Sequence, residues 1–250
     1  MGIQKMENTE AIDECKDFYI REDKHWGGDL DVIRKYVEKF CELSILDVGV
    51  GYAWHLANLL FIIPSSVRIT RTIGLDYSEK MLQKAAEFLA SFCPGGRCAR
   101  EHMQLKHGDI LSLPFERDSF DVVLCLNNTL GNISGGEFKD AAINRCKALK
   151  EINRVLRVGG YIILSVYNAD RFASKHSYGN VFELDPSLSS LDSFDFVIRV
   201  KNKDVLFYSH WFNDQEITTL LRDTCFDLSE VEHRQKRIVV VAQKVRMSPE

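Results

Sequence analysis

Short apolar runs alternate with amphipathic helical stretches from Ser44 to Val166, and this alternation constrains the fold more than any other feature of the 250-residue chain. Ser44–Gly49 reads as a buried strand, and Tyr52–Ile63 as a helix stopped by Pro64-Ser65-Ser66. Thr72–Asp76 is a second strand. Ser78 is placed to cap a helix carrying Met81, Leu82, Ala85, Ala86 and Leu89 at three- and four-residue spacing, and Pro94-Gly95-Gly96 ends it. Strands follow at Met103–His107 and Phe120–Leu126. A long helix over Glu137–Leu156 puts Phe138, Ala142, Cys146, Leu149, Ile152 and Leu156 on one face, with Gly159-Gly160 as its stop. Tyr161–Val166 is the fifth strand.

Alternating strands and helices imply an α/β domain whose mostly parallel sheet is covered by helices on both faces. Beyond it, Val197–Val200 and Val205–Ser209 form a hairpin, and a helix covers Asp214–Cys225. Strands near Phe226–His233 and Ile238–Lys244, joined by the short Arg234–Arg237 turn, put one antiparallel strand near the C-terminus. The basic turn itself reads as solvated. A single domain is expected over 1–250. Residues 1–43 would form a helical lid, 44–166 the ligand-binding core, 167–212 a substrate-side insertion with the hairpin, and 213–250 the last helix and strand pair.

Composition narrows the partners. The chain is 45% hydrophobic and 27% charged, with a formal net charge of −4, so it lacks the basic surplus that advertises a nucleic-acid binder. Its longest apolar runs, Leu59–Ile63 and Tyr161–Val166, fall far short of the roughly 20 residues that cross a bilayer. The N-terminal segment has no signal-peptide core. Its seven cysteines are scattered, which fits reduced thiols and a cytoplasmic protein. Cys93 and Cys98 flank Pro-Gly-Gly-Arg without a second pair at metal-ligand spacing, so no metal is expected.

Chemistry collects at the strand ends, where open α/β sheets bind ligands. Asp47-Val48-Gly49-Val50-Gly51-Tyr52-Ala53 makes the first strand-to-helix turn. A dinucleotide site would need a third glycine where Trp54 stands, and Asp47 would repel a pyrophosphate but attract a cation. Asp76 ends the second strand, where a carboxylate can accept both hydroxyls of a ribose. Gly108-Asp109-Ile110 follows the third strand, with Asp109 placed to accept from an exocyclic amine and Ile110 to pack on a ring.

Taken in order, these segments resemble the class I S-adenosylmethionine-dependent methyltransferases, small-molecule type. The resemblance covers Ser44–Val166. It rests on the acid-glycine turn Asp47–Ala53, with Ala53 for the family's last glycine, on Asp76 and on Asp109. It rests also on Leu113-Pro114-Phe115, on Ser119–Val123, and on Leu156-Arg157-Val158-Gly159-Gly160, with Val158 for the family's proline. The resemblance implies a Rossmann-like seven-stranded sheet. It implies S-adenosyl-L-methionine as cofactor and S-adenosyl-L-homocysteine as product, held by Asp47, Gly49, Gly51, Ala53, Asp76, Tyr77, Met81, Gly108, Asp109 and Ile110. Asn127 is expected on the methionine end, and Tyr19 and Trp26 in an aromatic lid over the sulfonium.

The acceptor follows less directly. Leu126–Asn132 lacks the proline-rich tetrapeptide of enzymes that methylate base amines, and Cys125 sits among apolar neighbours as a core thiol. Asn128, His176 and His210 are the candidate catalytic groups, the histidines as bases. Tyr167–Asp204 is long enough to roof an acceptor pocket. The leading expectation is methyl transfer to nitrogen or oxygen of a small polar metabolite, with assembly into oligomers left open. The alternatives are a protein or RNA acceptor, or a module that binds the cofactor or its product without turnover.

Overall fold

The computed structural model describes residues 29–92, 103–134, 140–172, 182–184, 189, 194–200, 205–234 and 236–246. Tyr19, Trp26 and His176 lie outside the described residues.

The chain lays down helix α1 (Asp29–Val37), strand β1 (Glu42–Val48), α2 (Trp54–Ile62), β2 (Arg68–Asp76), α3 (Glu79–Ser91), β3 (Gln104–His107) and β4 (Phe120–Cys125). Then follow α4 (Ala141–Val155), β5 (Leu156–Tyr167), α5 (Ala169–Phe172), β6 (Phe182–Leu184), β7 (Asp195–Val200) and β8 (Val205–His210). Helix α6 (Asp214–Asp223), β9 (Phe226–Arg234) and β10 (Arg237–Lys244) complete it. Seven strands form one sheet in the order β3-β2-β1-β4-β5-β10-β9. Only β10 runs against the others. The Rossmann-like sheet expected from the sequence is therefore present.

Strand periodicity divides the core in two. Leu46 and Val48 of β1, Val123 and Cys125 of β4, and Ile238, Val240 and Ala242 of β10 point to one face, where Leu149 and Ile152 of α4 and Ile217 and Leu221 of α6 cover them. The alternate residues Leu43, Ile45, Val122, Leu124, Val239 and Val241 meet Val32, Ile33 and Val37 of α1, Leu56 and Leu59 of α2, and Ala85 and Leu89 of α3. Helix α3 starts where Ser78 predicts: the Met81 N–H donates to Ser78 Oγ at 3.0 Å.

The structure corrects two expectations. Helix α4 turns Ala141, Arg145, Ala148, Leu149, Ile152 and Val155 inward, and Ala142 is exposed. Gly159-Gly160 does not end that helix, because β5 begins at Leu156, paired with Phe120. The register then jumps to Tyr161 opposite Val122. The glycines form a bulge there: Gly159 has φ +83°, and a Cβ on Gly160 would lie 2.6 Å from the Asp121 carbonyl.

The long stretch after β5 holds more order than a loop. Strands β6, β7 and β8 form a separate antiparallel sheet. Its β8 end is tied to the segment after β4, where the His210 N–H donates to the Gly131 carbonyl at 2.8 Å. A Cβ on Gly131 would lie 2.3 Å from the His210 carbonyl, so this close approach requires glycine.

Candidate active site

Strand order reverses direction between β1 and β4, and that switch point is where open α/β sheets bind ligands. The turn after β1 is built for close approach. Gly49, Gly51 and Ala53 all have left-handed backbone, at φ +73°, +55° and +68°. The N–H groups of Gly49 and Val50 both donate to the Leu75 carbonyl, at 2.8 and 3.0 Å, which folds the turn over the end of β2. A Cβ on Gly51 would meet only Met81 Cε, at 3.5 Å, so the space over this glycine is open.

Asp76 organises the turn. Its Oδ2 accepts from the Gly51 N–H at 2.8 Å and its Oδ1 from the Ser78 N–H at 2.9 Å. One half-buried carboxylate thus joins the glycine turn to the start of α3. Each carboxylate oxygen has a second lone pair, which is what a ribose diol needs. Tyr77 beside it is 49% exposed, and its ring lies 5.8 Å from that of His107. Asp109 follows β3 and accepts from the Leu111 N–H at 2.8 Å, with Ile110 packed against the core. Gly108 brings β3 against Leu75, whose Cδ1 a Cβ there would approach to 2.9 Å. Asp47 is 3% exposed within β1. Its charge and burial, burial first, push the Cys125 thiol up to about 12, which suits an inert core thiol.

Asn127 and Asn128 leave β4 in left-handed conformation, φ 54° and 63°. Asparagine tolerates that backbone better than most residues. The Asn127 N–H donates to Ser165 Oγ at 2.8 Å. Its side chain lies 3.5 Å from His55 Nδ1, and its Oδ1 is 3.4 Å from Arg237 Nη1. Asn128 is fully buried. Its amide nitrogen donates to Ser209 Oγ and to the His210 carbonyl, both at 3.1 Å, and its Oδ1 accepts from the Tyr167 N–H at 3.0 Å. That amide joins β4, β5 and β8.

His210 occupies a different setting from an open base. It is 2% exposed, with Nδ1 2.8 Å from Asp195 Oδ1 and Nε2 2.8 Å from Glu216 Oε1. Tyr208 donates to the same Asp195 oxygen and accepts from Arg145 Nη1 at 2.8 Å. Burial raises the Tyr208 phenol, so its hydroxyl keeps its proton.

Sequence reading missed the polar residues beyond Asn127. Arg237, expected in a solvated turn, is 7% exposed at the start of β10, opposite Tyr167 of β5. Its Nη1 donates to Asp29, which opens α1 and is fully buried. The antiparallel direction of β10 is what carries the turn to the ligand end of the sheet. That strand assignment was available in the sequence, but the sign of the charges hid its consequence.

A parallel sheet reversing at a glycine turn, with carboxylates at three successive strand ends, is similar to the arrangement of the class I S-adenosylmethionine-dependent methyltransferases. The sequence profile of the methyltransferase domain matches residues 46–164. A demethylmenaquinone methyltransferase of Staphylococcus epidermidis is 36% identical over 119 residues, 47% of this chain and 40% of that protein. The chain thus spans less than half the length of the curated relatives it matches. Among solved structures, the PH0226 protein of Pyrococcus horikoshii shares the fold with a TM-score of 0.64 at 19% identity, over 89% of this chain and 91% of that one. A Haloferax volcanii protein solved in complex with the Trm112 methyltransferase activator does so with a TM-score of 0.63 at 18% identity, over 98% and 100%. No helix among the described residues is long and apolar enough to cross a membrane.

Proposed function

We propose that the protein transfers the methyl group of S-adenosylmethionine to a nitrogen or oxygen of a small polar metabolite. The Asp76 bridge is the observation that carries this reading, since it sets a carboxylate at the mouth of a glycine turn with open space above it. The donor supplies an electrophilic methyl on a cationic sulfur. The chain's own residues bind and orient it. Asp109 and Ile110 would hold the adenine, Asp76 the ribose, and Gly49–Gly51 the backbone approach. Asn127 would hold the methionine end, with Asp47 favouring the positive charge from below. Alignment of donor and acceptor provides most of the acceleration.

Asn128 and His210 take positioning roles, because every polar atom of their side chains is engaged within the fold. The relatives named for demethylmenaquinone support a small-molecule acceptor. The polar wall of His55, Asn127 and Arg237 favours a polar one. A second reading keeps the donor and makes the acceptor protein or RNA, helped by an activating partner; the Haloferax neighbour in its Trm112 complex favours it.

Calorimetric titration tests the donor site. Asp76→Ala should weaken S-adenosylhomocysteine binding at least about tenfold, through lost ribose contacts and a loosened turn. Asp227→Ala, on the exposed side of β9, should leave it unchanged. Equal affinities for wild type and Asp76→Ala would sink the assignment. Labelled-methyl transfer into cell extract, with and without protease or nuclease treatment, separates the two acceptor readings.

A further inference from the structure

Asp29 is the feature that fold-holding does not explain. It opens α1, is fully buried, and has one oxygen bound by Arg237 Nη1. The other oxygen, Oδ1, has no hydrogen-bond partner. A buried carboxylate oxygen left unsatisfied is destabilising, so a protein keeps one only where something else holds it there. Burial raises the Asp29 carboxyl above the usual aspartate range, while Arg237 and the Ser165 hydroxyl pull it down. A second nearby cation, Arg234, pulls the same way from further off.

Its place in the fold says what would meet that oxygen. The ligand track runs along the strand ends in sheet order, from Asp109 after β3, through Asp76 and the glycine turn, to Asn127 after β4. Arg237 Nη1 bridges Asp29 Oδ2 and Asn127 Oδ1, which brings the carboxylate to the far end of that track. Ser165, whose Oγ accepts the Asn127 N–H, stands between the same two residues. If the ribose sits at Asp76, the sulfonium end lies at Asn127 and the acceptor beyond it.

We infer that Asp29 presents Oδ1 to the acceptor position and takes the proton that the acceptor sheds. The inference rests on the donor site proposed above. In the transfer, the acceptor's lone pair forms the new bond to carbon, and the electron pair of the broken carbon–sulfur bond stays on sulfur. The N–H or O–H proton of the acceptor passes to Asp29 Oδ1. Arg237 is a positioning residue: it fixes Oδ2, so that only Oδ1 turns to the acceptor. The acceptor class that fits is one bearing a donor hydrogen on the reacting nitrogen or oxygen. A tertiary amine or a thioether would leave Oδ1 without its bond.

Binding alone tests this. In sinefungin a carbon bearing an amine replaces the methyl-bearing sulfur, so its ammonium group reports on the surroundings of the transferred methyl. S-Adenosylhomocysteine lacks that group. Asp29→Asn should cut sinefungin affinity at least about tenfold, the loss of one charge-assisted contact, and change S-adenosylhomocysteine affinity less than about twofold. Asp29→Ser, which keeps a small polar residue at the start of α1, should do the same if Asp29→Asn folds poorly. Asp31→Asn removes a charge from the exposed side of the same helix and should move neither ligand. A sinefungin preference that survives both Asp29 variants would overturn the inference. A wild-type protein that binds neither ligand would overturn the donor site, and this inference with it.

Discussion

At Gly49 a Cβ would come within 2.4 Å of Thr129 Cγ2 and 2.5 Å of its Oγ1, at a φ of +73°. Both the backbone and the neighbour therefore demand glycine. Gly49→Ala should cost about 3 kcal/mol in urea unfolding, from left-handed strain and overpacking together. Adding Thr129→Ala should recover only part of it, since Thr129 Cβ is itself 3.0 Å away and the strain remains. Ala53 is a different case. It has the same backbone sign, φ 68°, and is fully buried at the start of α2. Alanine tolerates this setting at a modest cost, whereas a β-branched side chain there is a true outlier. Ala53→Val should destabilise by about 2 kcal/mol, and Ala53→Gly should be near neutral because relieved strain offsets a lost buried methyl. Denaturant titration of both variants checks the pair; an Ala53→Val protein as stable as wild type would contradict the conformation assigned to this turn.

Between elements, the segment before β4 is fixed by helix α4 through one ion pair. Arg154 Nε and Nη2 lie 2.8 Å from the two Glu151 oxygens. The same guanidinium donates to the carbonyls of Phe115 and Leu113, at 2.7 and 2.8 Å, and Glu151 accepts the Leu113 N–H at 2.9 Å. Arg154 holds the Glu151 carboxyl below its ordinary value. A carboxyl depressed on folding contributes stability above its unfolded value, about 4.3, and loses it as pH falls through the lower folded value. Glu151→Gln should therefore cost about 1 kcal/mol at neutral pH, and the difference from wild type should shrink as pH drops below about 4. A gap that widens in acid would reverse the assignment. The elements themselves were legible because each strand and helix repeats a simple period. Ser78 as a cap, the β7–β8 hairpin and the antiparallel β10 were read from local signals alone. The Gly159-Gly160 bulge was not, because a glycine pair after a helical run signals a stop equally well; only the pairing of Leu156 with Phe120 decides it. The inward face of α4 was misread because Arg145, a charged residue, belongs to it. Its burial depends on Tyr208, 63 residues further along the chain. The strand-end acids Asp76 and Asp109 could be found from spacing. Asp29 and Arg237 could not, since their meeting is set by how α1 and β10 dock, 208 residues apart.

Across the whole molecule, two bodies of structure meet at His210. The main sheet contributes the segment after β4, whose Gly131 carbonyl and Asn128 amide grip the His210 backbone. The small sheet contributes Asp195, and α6 contributes Glu216, one carboxylate to each ring nitrogen. Both carboxylates keep partial contact with solvent, with side chains 35% exposed, so the clamp is weaker than a fully buried triad. His210→Ala should cost about 2 kcal/mol, or roughly 6 °C in calorimetry for a chain of this size. The proposed donor track along β1, β2 and β3 lies on the other side of the switch point, so S-adenosylhomocysteine affinity should hold within about twofold. Acceptor handling should suffer instead, because β8 would lose its side-chain tie to α6 beside the Asn127–Asn128 turn, although its backbone bonds to Gly131 and Asn128 remain. The expected signature is a raised KM for the acceptor with an unshifted pH profile. A general base in this position would give the opposite result, a collapsed kcat and a lost titration limb with little change in thermal stability.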